Sequence, residues 1–255
     1  MTLSIAGLCF AYGKREVLHD ITVGGIEPGQ VTALIGPNAA GKSTLFRTIT
    51  GLLRPSRGTV TLDGMNLTAL RHSERVRRVC YMPQHFSANA ALTVFDVVLL
   101  ARKSLQGWRV EDDDIEAVSQ VLDELRLGHL ANAHVGELSG GQQQMASIAQ
   151  ALVRKPRVFL FDEPTSALDL RRQLEVMTTI RETAIGNDAV VLVALHDLNL
   201  AARFADRLLL IRDGRILRFG SPEQVLSDEA VGETYGVSID LFTPKKGQIH
   251  VSAHL

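Results

Sequence analysis

Residues 31–53 read VTALIGPNAAGKSTLFRTITGLL. An apolar run, a glycine-bounded loop and a helix-forming stretch follow one another without a gap, and no other stretch constrains the fold as tightly. A run this rich in apolar residues (VTALIG, 31–36) reads as a buried strand, of the kind found in a sheet covered on both faces. GPNAAGKS (36–43) fits G-x-x-x-x-G-K-[ST]. In that pattern backbone amides wrap phosphate oxygens, Lys42 reaches the outer phosphates, and the Ser43 hydroxyl can bind Mg²⁺. A strand before and a helix after is the context the pattern requires.

The remaining chain alternates strand and helix patterns. LSIAGLCFAYG through VLHDITVGGIEPG breaks at Gly and Pro-Gly like antiparallel strands, and GTVTLDGMNL (58–67) alternates apolar and polar residues like another. From about 86 to 155 the character is helical: LTVFDVVLLARKSL, EDDDIEAVSQVLDELRL and GGQQQMASIAQALVRK. In the last, Met145, Ile148, Ala149, Leu152 and Val153 form one apolar face. Strands return in RVFLFDEP, AVVLVALHD and DRLLLIRDG, separated by helical QLEVMTTIRETA and LNLAARFA. The tail from 221 reads as short helices and then loose strand. This order predicts an α/β fold with a mostly parallel core sheet, an antiparallel β part and a helical insertion.

Bulk properties narrow the class. A net charge of −1 argues against nucleic acid as a partner. Cys9 and Cys80 sit in apolar LCFAY and VCYMP and read as buried thiols of a reducing compartment. MTLSIAGLCFAYGKR lacks a basic start and a long apolar core, so no signal peptide is expected. The longest apolar run, AVVLVAL (189–195), is far short of the ~20 residues a membrane span needs. A soluble cytoplasmic chain is the expectation.

RVFLFDEP (157–164) is an apolar strand ending in two carboxylates. Asp162 is placed for the Mg²⁺ shell, and Glu163 for polarising an attacking water as general base. His196, in ALHDLN, ends another apolar strand at the sheet edge where ligands gather in α/β folds, although a lone histidine there is more often structural. Gln84, in YMPQH, follows a short apolar stretch and says little alone. Ser139, Gly140 and Gly141 open a helix whose N-terminal amides attract anions, a second phosphate-seeking helix beside the loop at 36–43. The acidic EDDDIE (111–116) reads as a solvated helix start.

Taken together, the phosphate loop, Gln84, LSGGQ (138–142), FDEP with SALD (166–169) and His196 stand in the order seen in ATP-binding-cassette ATPases, and the chain resembles that family over essentially its whole length. The resemblance implies a P-loop cassette: about 1–85 and 156–220 as a RecA-like core with its antiparallel part, about 86–155 as a helical subdomain, and about 221–255 as a C-terminal extension. It implies ATP held by Gly36, Pro37, Asn38, Ala39, Ala40, Gly41, Lys42, Ser43 and Thr44, with Tyr12 stacked on adenine. It makes Gln84 the Q-loop residue, catalytic and metal-binding with Ser43 and Asp162, His196 the switch histidine, and Asp169 the D-loop residue. It also explains the second helix. Two cassettes of this family pack head to tail, so Ser139, Gly140, Gly141 and Gln142 of one copy close on ATP held by the other.

Two stretches depart from the family pattern. Ala39, followed by Ala40, stands where the usual GPNGxGKS carries glycine, and a left-handed backbone at Ala39 would cost about 1–2 kcal/mol. QQQM (142–145) replaces QRQR, which predicts altered packing or salt links.

YMPQH then LTVFDVVLLAR, LHDLNLAARFADRLLLIRDGRI and GSPEQVLSDEAVGETYGVSI resemble the cassettes that power iron–siderophore importers. That implies membrane permease subunits, received at about residues 86 to 105, a chelate-binding protein acting indirectly, and a place at the cytoplasmic face of the membrane. Haem, cobalamin and metal-ion importers, and a non-transport ATPase such as an iron–sulfur assembly factor, are the alternatives. The absence of a heptad run disfavours a DNA-maintenance ATPase.

Overall fold

The computed structural model describes residues 2–84, 91–104, 107, 109–166, 168–242 and 249–255. The chain opens with β1 (Leu3–Tyr12), β2 (Arg15–Ile26) and β3 (Val31–Ile35), then α1 (Lys42–Thr50), β4 (Arg57–Leu62) and β5 (Met65–Asn66). The helix after the phosphate loop stops at Thr50 because Gly51 takes a left-handed φ of 79° and caps it. The stretch expected as one strand over 58–67 divides at Asp63 and Gly64, both at positive φ. Next come α2 (His72–Arg75), β6 (Val79–Met82), α3 (Val94–Lys103), α4 (Asp112–Glu124), α5 (Gly140–Leu152) and β7 (Val158–Asp162). The chain continues with α6 (Leu170–Gly186), β8 (Val190–Leu195), α7 (Leu198–Phe204), β9 (Arg207–Arg212), β10 (Arg215–Gly220), α8 (Pro222–Leu226), α9 (Glu229–Tyr235), β11 (Ser238–Phe242) and β12 (His250–His254).

The larger sheet runs β10-β9-β3-β8-β7-β6, parallel except for the β9–β10 pair. Its central strands β3, β7 and β8 are buried along their whole length. Successive residues point to opposite faces. Leu34, Leu160 and Leu192 join the core shared with the antiparallel sheet β2-β1-β4-β5 and with Phe46 of α1. Ile35, Phe161 and Val193 join the core under the helices, where all five residues of the expected α5 face are buried. A near-continuous apolar strand is the signature of such two-sided burial.

Register places the site. Ile35 pairs with Leu195, and Asp162 with Ala194, so β3, β7 and β8 end level with one another at their carboxyl ends. Gly36, Glu163 and His196 are the next residue of each. Met82 pairs with Phe161, which brings Gln84 to the same edge.

Two readings change. EDDDIE is not solvated throughout: Asp114 is buried against Lys103 (2.7 Å) and Arg102 (2.7 Å) of α3. The loose C-terminal strand is an antiparallel hairpin, β11–β12, whose Val251 backbone is gripped on both sides by the Asn199 amide. Cys9 and Cys80 are free and buried. Among the described residues, no helix is long and apolar enough to cross a membrane.

Candidate functional site

The loop from Gly36 to Gly41 joins β3 to α1. Gly36 has no alternative: a Cβ there would lie 2.2 Å from the Ile211 carbonyl oxygen. Ala39 does adopt the left-handed conformation (φ 62°), so the cost foreseen at that position is present in the fold. Ala40 donates to the Pro37 carbonyl at 3.3 Å and accepts from the Gly214 amide at 3.0 Å, which ties the loop to the turn between β9 and β10. Lys42 is buried, and its Nζ donates to the Gly36 (2.7 Å) and Pro37 (3.0 Å) carbonyls. Desolvation pushes its pKa down, while the charges of Glu163 and Asp162 pull the other way. One of its three donors is left for an incoming oxygen.

The two carboxylates have different company. Asp162 Oδ2 accepts from the Tyr81 hydroxyl at 2.9 Å. Its Oδ1 is buried and has no hydrogen-bond partner among the described residues. Glu163 has a left-handed φ of 53°, a strained setting for a non-glycine residue. Its Oε2 accepts from Gln84 Nε2 at 2.5 Å, and its Oε1 is in hydrogen-bond contact with His196 Nε2. Its backbone is held as well: the amide donates to the Ala194 carbonyl (3.2 Å), and the carbonyl accepts from Gln144 Nε2 (3.4 Å).

An open cleft of about 670 Å³ brings together Tyr12, Asn38, Ala39, Gly41, Lys42, Ser43, Thr44, Gln84 and Glu163, with Arg15 and Val17 beside them. Gly36, Pro37 and Ala40 shape the loop's turns rather than line this space. Tyr12 is 48% exposed and meets Phe10 edge-on, centroids 4.8 Å apart, leaving its ring available for stacking. Burial pushes the Tyr81 phenol up to about 12, so it stays protonated and can donate. Arg47 Nε donates to that hydroxyl at 3.4 Å. Hydrogen bonds to Tyr81 first, and to Tyr12, raise the pKa of Arg47.

Sequence reading missed Tyr81, Arg47 and Gln144. The available signals were weak: one phenol in VCYM, and one glutamine in a helix beside apolar Met145.

The remaining candidates lie elsewhere on the chain. Ser139 caps α5: its hydroxyl accepts from the Gln142 amide (3.4 Å) and Gln142 Oε1 accepts from the Ser139 amide (2.8 Å). Gly140 and Gly141 lie between the two residues of that exchange, in the first helical turn, where amides lack intrahelical acceptors. None of the four lines the cleft. Asp169 caps α6, accepting from the Arg172 amide at 2.9 Å, and lines a separate recess with Arg126 and Arg171. In QQQM, Gln143 donates to the carbonyls of Val135 and Leu138, and Met145 is packed in the core.

The donor set suits a hard divalent cation. Asp162 Oδ1 is a buried oxygen without a hydrogen-bond partner among the described residues, and Ser43, whose hydroxyl is a second oxygen donor, lines the cleft.

Comparison with known proteins follows the same lines. The ABC transporter family profile matches residues 18–166. A hemin import ATP-binding protein of Pseudomonas entomophila is 39% identical, covering 93% of each chain. The ferric enterobactin transport ATP-binding protein of Escherichia coli is 36% identical over 93% of this chain and 90% of its own. The cobalamin import ATP-binding protein of Halobacterium salinarum is 34% identical over 99% of this chain, which spans 63% of that protein. Among solved structures, a metal-chelate type ABC transporter in an inward-facing conformation superposes with a TM-score of 0.84 at 27% identity, covering 100% and 98% of the two chains.

Proposed function

Since the chain belongs to the ABC transporter family and is an ABC-type ATPase, we propose that it is the ATP-hydrolysing subunit of an importer whose cargo is an iron(III)–siderophore type chelate. The observation that carries the ATPase part is the Glu163 carboxylate, held between Gln84 and His196 at the mouth of the phosphate-loop cleft. In this reading Lys42 and the amides from Asn38 to Thr44 bind the phosphates, and Tyr12 stacks on the adenine. Glu163 takes the proton of the attacking water as its oxygen bonds to the γ-phosphorus and the bond to ADP breaks. Gln84 and His196 orient that carboxylate.

Ser43, Asp162 and Gln84 would hold Mg²⁺. The chemistry it supplies when bound is neutralisation of charge on the β- and γ-phosphate oxygens.

Ser139, Gly140, Gly141, Gln142 and Asp169 lie outside this chain's own cleft, which supports their action on ATP held by a second copy. Permease subunits would dock near 86 to 105, of which 86–90 and 105 fall outside the described residues, and would keep the subunit at the inner membrane face. A chelate-binding protein would act upstream of them.

A second reading is haem as cargo, favoured by 39% identity to the hemin import protein against 36% to the ferric enterobactin protein. Parallel uptake assays in a strain lacking the gene decide between them. Loss of iron(III)–siderophore uptake alone supports the proposal, and loss confined to haem or cobalamin selects the alternative. Retention of all three, with the protein co-purifying with soluble scaffold partners, would point to a non-transport ATPase.

A further inference from the structure

Asp162, read above as a metal ligand, has one oxygen committed and one uncommitted among the described residues. The Tyr81 hydroxyl donates to Oδ2 at 2.9 Å, while Oδ1 is buried without a partner among the described residues. The same hydroxyl accepts from Arg47 Nε at 3.4 Å. Arg47 lies one helical turn after Ser43 on α1, so the two side chains share a face. Tyr81 pairs with Leu160 across β6 and β7, two residues before Asp162 and on the same side of the strand.

These contacts join the helix that bears Ser43 to the strand that bears Asp162 through one phenol. We propose that Tyr81, oriented by Arg47, is a positioning residue for the metal-facing carboxylate: by fixing Oδ2 it aims Oδ1 at the cation shared with Ser43. The proposal rests on the reading of Asp162 and Ser43 as metal ligands.

The physical argument is directional. A carboxylate with neither oxygen bonded turns freely about its terminal torsion. With Oδ2 pinned, Oδ1 has one direction left. A phenol that accepts from a guanidinium while it donates is polarised toward the acceptor, which strengthens the pinning bond. Partners of this kind orient metal-binding carboxylates, and losing one weakens metal affinity about 10–100-fold.

The test separates metal from nucleotide. Affinity for a non-hydrolysable ATP analogue is measured in EDTA and in excess Mg²⁺, and the ratio of the two is the metal-dependent gain. Mn²⁺ in place of Mg²⁺ allows electron paramagnetic resonance of the bound ion. Tyr81→Phe should reduce the gain roughly tenfold, leave affinity in EDTA unchanged, and alter the Mn²⁺ spectrum. Arg47→Gln should move the gain the same way by less. The wild-type gain in Tyr81→Phe overturns the proposal. So does an equal loss with and without metal, which would mark the tyrosine as merely structural. Asp162→Asn is the control: if it keeps the full gain, the metal reading of Asp162 fails, and the proposal with it.

Discussion

Gln84 donates from Nε2 to Oε2 of Glu163 at 2.5 Å, tying the segment after β6 to the residue that follows β7. Both oxygens of Glu163 are engaged, since His196 meets the other. Glu163→Gln keeps size and a hydrogen-bonding oxygen but loses basicity, so hydrolysis should fall by roughly 10²–10⁴ while ATP still binds. Light scattering should then find a monomer without nucleotide and a dimer with ATP. Adding Ser139→Arg should restore the monomer. A double variant that still dimerises would show that α5 is not what closes on the second nucleotide.

Lys42→Ala removes the buried ammonium whose remaining donor faces the cleft. ATP affinity should drop at least tenfold, on the order of one charged hydrogen bond, and turnover should vanish. A phosphate-release assay checks this. Near-normal turnover would mean that the 36–43 loop is not the active one.

Ala39 carries a left-handed φ of 62° that glycine adopts freely. Ala39→Gly recovers the ~1–2 kcal/mol of backbone cost and gives back ~0.4–1 kcal/mol through a freer unfolded chain. A net gain of about 0.5–1 kcal/mol is expected, read as a higher denaturant midpoint. Ala39→Val should do the opposite, because a β-branched side chain resists this backbone region. A higher midpoint in the valine variant would contradict the argument.

Hydrogen bonds from Lys103, then Arg102 and the Glu111 amide, hold the Asp114 carboxyl well below the usual carboxylate range. A carboxyl depressed in this way stabilises the fold fully above its unfolded value near 4, and that stability is lost as pH falls through the folded value. Asp114→Asn should lower the melting temperature by several degrees at neutral pH, since it strands two cations in the α3–α4 contact. The gap between wild type and variant should stay constant down to about pH 5 and shrink below about pH 4. A gap that widens on acidification would be inconsistent with this pairing.

What sequence could disclose divides along a physical line. GPNAAGKS is legible because its chemistry is local: the amides, Lys42 and Ser43 are neighbours in the chain, and the apolar VTALIG before them can only be a covered strand. Glu163 and His196 were readable as strand ends for the same reason. The Tyr81–Asp162 bond was not, because it depends on β6 lying next to β7 in one register, and nothing in VCYM declares that register. Gln144 faces Glu163 only once α5 has docked on the sheet. EDDDIE misled because helix geometry, not composition, decides that the third aspartate turns inward while Asp112 and Asp113 stay in water.

The grip of Gln144 on the Glu163 carbonyl has a consequence for timing. Ser139 stands at the outward tip of α5 and Gln144 little more than one turn further along the same rod. If a second copy presses its ATP against that tip, the push arrives at the first copy's own Glu163 without crossing a flexible joint. Each cassette would then learn from its outer surface whether its neighbour is loaded, and two engines wired crosswise in this way would tend to fire in step.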